Sequence, residues 1–155
     1  MGDGLTAGLP QPYALRLELI RAKGYSNREV LDLVGRRHEA EFKERISAEL
    51  GWTEFLEYTS VHAAEFAEAV RSGYTFKFMT IGGLRSLLDI KFGLQPERDY
   101  QLHATKLTGL MLDTSSYQLL EQLTPDYWVI DSQPDPAVVG YFQVRIEHRY
   151  ATSTE

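Results

Sequence analysis

The chain has 155 residues, of which 43% are hydrophobic and 25% charged, with a formal net charge of −6 and no cysteine. That length supports an ordinary hydrophobic core without staples, and the composition excludes wholesale disorder and fibrous repeats. Without cysteine there are no disulfides, no thiolate catalysis and no cysteine-based zinc or iron–sulfur site, and the negative charge disfavours nucleic-acid binding, which draws its affinity from Lys and Arg displacing counterions.

Residues 1–12 are rich in Gly and Pro and lack periodicity, so they read as a flexible arm. Met1 to Gln11 hold neither the basic stretch nor the apolar run of a secretory leader, and no segment approaches the roughly 18 apolar residues of a membrane span. The simplest expectation is a cytoplasmic protein with no membrane partner.

Apolar residues recur every three or four positions up to Gln95 and mostly every two beyond Pro96, which predicts an α+β protein. About five helices are expected over residues 13–95. The first, Tyr13 to Lys23, carries Leu17 and Ile20 on one stripe and stops at Gly24. Ser26 and Glu29 form a capping box that opens the second helix, and Gly35 is its expected left-handed stop. A charged third helix spans His38 to Leu50, with Phe42, Ile46 and Leu50 as its seam. The longest, Trp52 to Ser72, buries Phe55, Leu56, His62, Phe66 and Val70 and ends at Gly73. Tyr74 to Met79 reads as a short strand or connector, and Thr80 caps a fifth helix through Leu88 that Gly93 closes.

Residues 96–150 predict a β-α-β-β arrangement in a small antiparallel sheet against which the helical half packs. One strand runs from Tyr100 to Leu112 with a bulge near Lys106 to Gly109, and a helix follows over Thr114 to Leu123. Tyr127 to Asp131 is a strand, 133–137 a loop, and Val138 to Tyr150 the clearest strand. There Phe142, Val144 and Ile146 point inward, with His148 and Tyr150 extending the row, while Gln143, Arg145 and Glu147 point to solvent. Residues 151–155 read as a tail.

Leu15 to Ile46, with GYSNREVLDLVG at its centre, resembles the helix-turn-helix of transposase and repressor DNA-binding heads. The resemblance implies base and phosphate contacts from Arg36, Arg37, Lys43 and Arg45, yet Glu39, Glu41, Glu44 and Glu49 share that helix and would repel a polyanion. A second candidate is the stretch 71–92, where Lys77, Arg85 and Lys91 interleave with Tyr74, Phe76, Phe78 and Phe92, but it matches no glycine-rich phosphate fingerprint.

His62 on an apolar stripe reads as a packed histidine, and His103, His148, Asp131 and Glu147 lack the spacing of a metal set. Ser115, Ser116 and Ser132 have no nucleophile-elbow context. No catalytic, cofactor or metal residue is therefore nominated. The expected function is a non-enzymatic interaction or regulatory module that binds a protein partner or itself, with DNA regulation through residues 15–46 as the alternative.

Overall fold

The computed structural model describes residues 7–150. These residues form an α+β protein with seven helices, a four-stranded antiparallel sheet and a separate two-stranded parallel pair. The chain divides into two compact units, Met1–Lys77 and Phe78–Glu155. No helix among the described residues is long and apolar enough to cross a membrane.

The first unit contains β1 (Ala7–Leu9), α1 (Gln11–Ala22), α2 (Asn27–Arg36), α3 (Glu39–Arg45), α4 (Thr53–Val61), α5 (Ala63–Ser72) and β2 (Tyr74–Phe76). Part of the expected flexible arm is thus a strand. β1 pairs in parallel with β2, Leu9 opposite Phe76, and Leu9 is fully buried. Residues 1–6 and 151–155, the rest of the arm and the tail, lie outside the described residues.

The capping box forms as expected, with Ser26 Oγ accepting from the Glu29 amide at 3.2 Å and Glu29 Oε1 accepting from the Ser26 amide at 2.8 Å. Hydrogen bonding from the Ser26 amide, and then from its hydroxyl, holds the Glu29 carboxyl below the usual carboxylate range. Gly35 is not the stop. The helix runs through it, and the left-handed cap is Arg37, at φ 57°. The third helix is also shorter than expected. It ends at Arg45, and the chain reaches Trp52 by an irregular turn whose carbonyls at Ser47, Leu50 and Gly51 are taken up by Trp52 Nε1, Lys43 Nζ and Arg16 Nε.

The long helix expected over Trp52 to Ser72 is broken at His62 (φ −114°, ψ 42°), which separates α4 from α5. Phe42, Trp52, Phe55 and Phe66 meet ring to ring inside the unit, with centroids 5.0 Å apart for Phe42–Trp52 and 5.7 Å for Phe55–Phe66. The unit also holds a buried polar contact: Tyr74 Oη donates to Glu18 Oε2 at 2.6 Å, and Arg21 reaches the same oxygen at 3.5 Å. Burial first, then the charge and hydrogen bond of Glu18, push the Tyr74 phenol well above the ordinary tyrosine range.

The second unit contains α6 (Ile81–Phe92), β3 (Gln101–Leu102), β4 (Lys106–Asp113), α7 (Thr114–Leu123), β5 (Trp128–Pro134) and β6 (Tyr141–His148), with strand order β3-β4-β6-β5. Thr80 caps α6 as expected, its Oγ1 accepting from the Gly83 amide at 2.9 Å, and Gly93 ends it at φ 70°. The single strand expected from Tyr100 to Leu112 is a hairpin, β3 and β4, turning at His103–Thr105. The bulge is present: pairing with β6 shifts between Leu107 and Leu110, and Gly109 sits there at φ 77°. Asp113 caps α7 by accepting from the Ser116 amide at 2.8 Å, and α7 lies against β4 and β6, with Tyr117 stacked on Phe142. β5 extends to Pro134, into the expected loop, and β6 begins at Tyr141, which leaves Val138 and Val139 exposed in the connecting turn.

Candidate functional site

Four segments of the second unit meet around a cavity of about 500 Å³: Met79 to Ile81 at the start of α6, Ala104 and Thr105 in the β3–β4 turn, Tyr127 and Trp128 at the start of β5, and His148 and Tyr150 at the end of β6. The sheet register builds one wall. Trp128 stands directly opposite His148, so their side chains are cross-strand neighbours, and the rings meet edge to face with centroids 5.0 Å apart. Tyr127 lies 5.3 Å and Tyr150 5.8 Å from the same imidazole.

The wall is fixed to the segment that leads into α6 through the backbone of one residue, Met79. Trp128 Nε1 donates to the Met79 carbonyl at 2.9 Å, Tyr127 Oη donates to that carbonyl at 3.2 Å, and the Met79 amide donates back to Tyr127 Oη at 2.5 Å. His148 is oriented by its surroundings too. Its amide donates to the Thr105 carbonyl at 2.9 Å, and its Nδ1 accepts from the Tyr150 amide at 3.2 Å, which selects the tautomer protonated on Nε2. Thr105 Oγ1 is shielded from solvent and has no hydrogen-bond partner among the described residues.

No Asp, Glu, Lys or Arg lines the cavity. Its volume lies within the roughly 300–1,000 Å³ typical of ligand pockets, and aromatic walls with a few fixed polar groups are their usual lining. Such a site suits a flat or bulky apolar group carrying one hydrogen-bonding atom. Tyr150, 76% exposed, stands at its edge.

The sequence picked out His148 and Tyr150 only as an extension of an inward row. Tyr127, Trp128, Thr105 and Met79 were missed as site residues. The one available signal was the Tyr-Trp pair opening a strand, because two adjacent aromatics in a strand must face opposite sides unless the strand is just beginning. His103 is exposed in the β3–β4 turn, Asp131 faces Arg145 across β5 and β6, and Glu147 pairs with Arg145 at 2.8 Å. His62 is not packed in the core as expected; its side chain is 41% exposed, and Nδ1 lies 3.1 Å from Glu65 Oε1.

The basic residues nominated for nucleic acid at the end of α2 and on α3 are held within the first unit. Arg36 forks onto Glu41 at 3.0 and 2.8 Å, Arg45 lies 3.7 Å from the same carboxylate, Arg37 donates to the Leu56 carbonyl at 3.1 Å and Lys43 to the Leu50 carbonyl. The fork with Arg36 keeps the Glu41 carboxyl below its usual range. In the second stretch Tyr74 and Phe76 are core residues, unable to stack on bases, while Lys77 and Arg85 are exposed, Lys91 is half-buried and Phe78 is 46% exposed.

Comparison with known proteins brings no match: no family model, no curated protein and no solved structure aligns with this chain.

Proposed function

We propose that this chain is a non-enzymatic interaction or regulatory module that holds a protein partner by an apolar side chain inserted into the cavity of the second unit. The observation that carries this reading is the uncharged cavity of about 500 Å³ walled by Tyr127, Trp128, His148 and Tyr150. Interfaces concentrate their binding energy where a large apolar anchor seats against aromatic side chains, and this open hollow offers such a seat. Duplex binding finds less support, because Arg36, Arg37, Lys43 and Arg45 are engaged by Glu41 and by backbone carbonyls.

Panning random phage-displayed peptides on the purified chain tests the proposal. The expected result is enrichment of peptides with a Trp, Phe or Leu anchor, bound with dissociation constants on the order of micromolar, as single-anchor interfaces are. Ala104 is exposed in the turn at the cavity, so Ala104→Trp fills the space while leaving the circular dichroism spectrum unchanged; it should weaken those peptides about tenfold or more. Undiminished binding to Ala104→Trp, or retention of DNA duplex at low salt that falls steeply as salt rises, would overturn the reading.

A further inference from the structure

Tyr13 on α1, Tyr58 on α4 and His62 at the break before α5 form a stack in the first unit. The Tyr58 ring has Tyr13 and His62 as neighbours, each with its centroid 4.6 Å away and tilted by 25° and 32° respectively. With Glu54, Glu57 and Val61 they line a cleft of about 310 Å³. Residues 54, 57, 58 and 61 stand at helical spacings of three and four, which puts two carboxylates, one ring and one valine on the same face of α4.

Three features of this cleft stand without an internal explanation. Tyr58 Oη is shielded from solvent and has no hydrogen-bond partner among the described residues. Val61 is 72% exposed, although it lies beside the stack. Glu54 and Glu57 are exposed with no salt bridge or hydrogen bond among the described residues, and from Gly51 to Val70 there are four glutamates and no Lys or Arg. Burial, reinforced by the nearby Glu65 charge and by Tyr13, raises the Tyr58 phenol, as a locally negative field should.

A guanidinium answers the second and third. It is planar and weakly hydrated, so it packs against the outer rings of the stack; its fork of donors reaches two carboxylates at once; and its aliphatic stem covers an exposed valine. An ammonium supplies charge without the plane, and an anion is repelled by the rim. A metal ion fits poorly, since no group of three His, Asp or Glu among the described residues is placed to hold one.

We propose that this cleft docks an arginine side chain presented by a basic segment of a partner protein. The site lies in the other unit from the aromatic cavity and stands or falls independently of it.

The test titrates the full chain with an eight-residue peptide alternating Arg and Gly, and with its Lys and citrulline counterparts, following the ring-proton resonances of Tyr13, Tyr58 and His62. At about 0.15 M salt the Arg peptide should shift all three rings and bind about threefold or more tighter than the Lys peptide, with the citrulline peptide weakest. Because the whole protein is acidic, Glu54→Gln/Glu57→Gln is compared with Glu97→Gln/Glu121→Gln, which removes the same charge from the second unit. The first pair should weaken the Arg peptide about threefold to tenfold and the second pair less than about twofold. Tyr58→Leu should weaken it by a similar factor to the first pair without changing net charge. Equal losses for the two charge pairs, or ring resonances in the native chain that do not move, would show general attraction to an acidic surface and overturn the site. Should Tyr58→Leu fail to fold, the ring shifts of the native chain decide.

Discussion

In the first unit Phe42, Trp52, Phe55 and Phe66 meet ring to ring with almost no surface left to solvent, whereas in the second Tyr127, Trp128, His148 and Tyr150 meet along one side and leave the other open to a cavity of about 500 Å³. The residue types are nearly the same. What differs is the number of elements that converge. Four helices and the connecting turn at Trp52 close around the first cluster, while the second sits where two strand ends, a hairpin turn and a helix start meet at the rim of a sheet. An aromatic cluster is thus a core or an open wall according to whether a last layer covers it.

That contrast can be broken by measuring stability. The largest effect is expected for Phe55→Ala, which should cost about 3–5 kcal/mol in urea unfolding, because Phe55 has no exposed surface and its neighbours cannot collapse onto the space. Tyr74→Phe comes next, at about 1–3 kcal/mol, since it removes the 2.6 Å donor from the buried Glu18 carboxylate.

This second substitution also has a pH signature. The folded phenol of Tyr74 is raised well above normal, while the unfolded chain releases that proton near pH 10, by the usual tyrosine value of about 10. Above that point the unfolded state holds fewer protons, so stability falls as pH rises, and the full contribution is present below it. Tyr74→Phe should flatten the fall between about pH 9 and 11. Tyr58 and Tyr100 are raised in the same direction by burial, so the slope is reduced rather than abolished.

A smaller effect, about 1–2 kcal/mol, is expected for Gly109→Ala. A Cβ there meets nothing within 4 Å, so the loss reports only the left-handed backbone of the bulge. The smallest is Tyr150→Ala. With the side chain 76% exposed, unfolding should change by no more than about 0.5 kcal/mol, while binding of the anchor peptides should weaken severalfold. A stability loss comparable to that of Phe55→Ala would mean that Tyr150 is a structural part of its unit, and the contrast would disappear.

The parts of the fold legible in the sequence were those set by local chemistry. Ser26 with Glu29, Thr80 ahead of the fifth expected helix, and the alternation from Phe142 to Glu147 each act within a few residues, and each is found where expected. The strand at Ala7–Leu9 was hidden because three residues with Gly8 in the middle and Pro10 behind carry no pattern, and their partner, Tyr74–Phe76, lies far along the chain. The break at His62 was hidden for a different reason. The apolar stripe through Phe55, Leu56, Phe66 and Val70 continues in step across it, so periodicity alone reads one helix. Alternation likewise carried through Leu102 and Ala104 into a turn. Of the two sites, only His148 had a readable direction, since the strand ends there and Tyr150, expected to extend the inward row, is exposed; neither the meeting of four separate segments nor the pairing of Tyr13 with Tyr58 leaves a trace at short range.

The Met79 peptide, gripped by both Tyr127 and Trp128, gives the cavity a rigid frame. Turning either ring away would forfeit hydrogen bonds to the Met79 backbone, so these two walls of the hollow are held in place. An anchor of the kind proposed would meet two aromatic walls already ordered, which lowers the cost of binding.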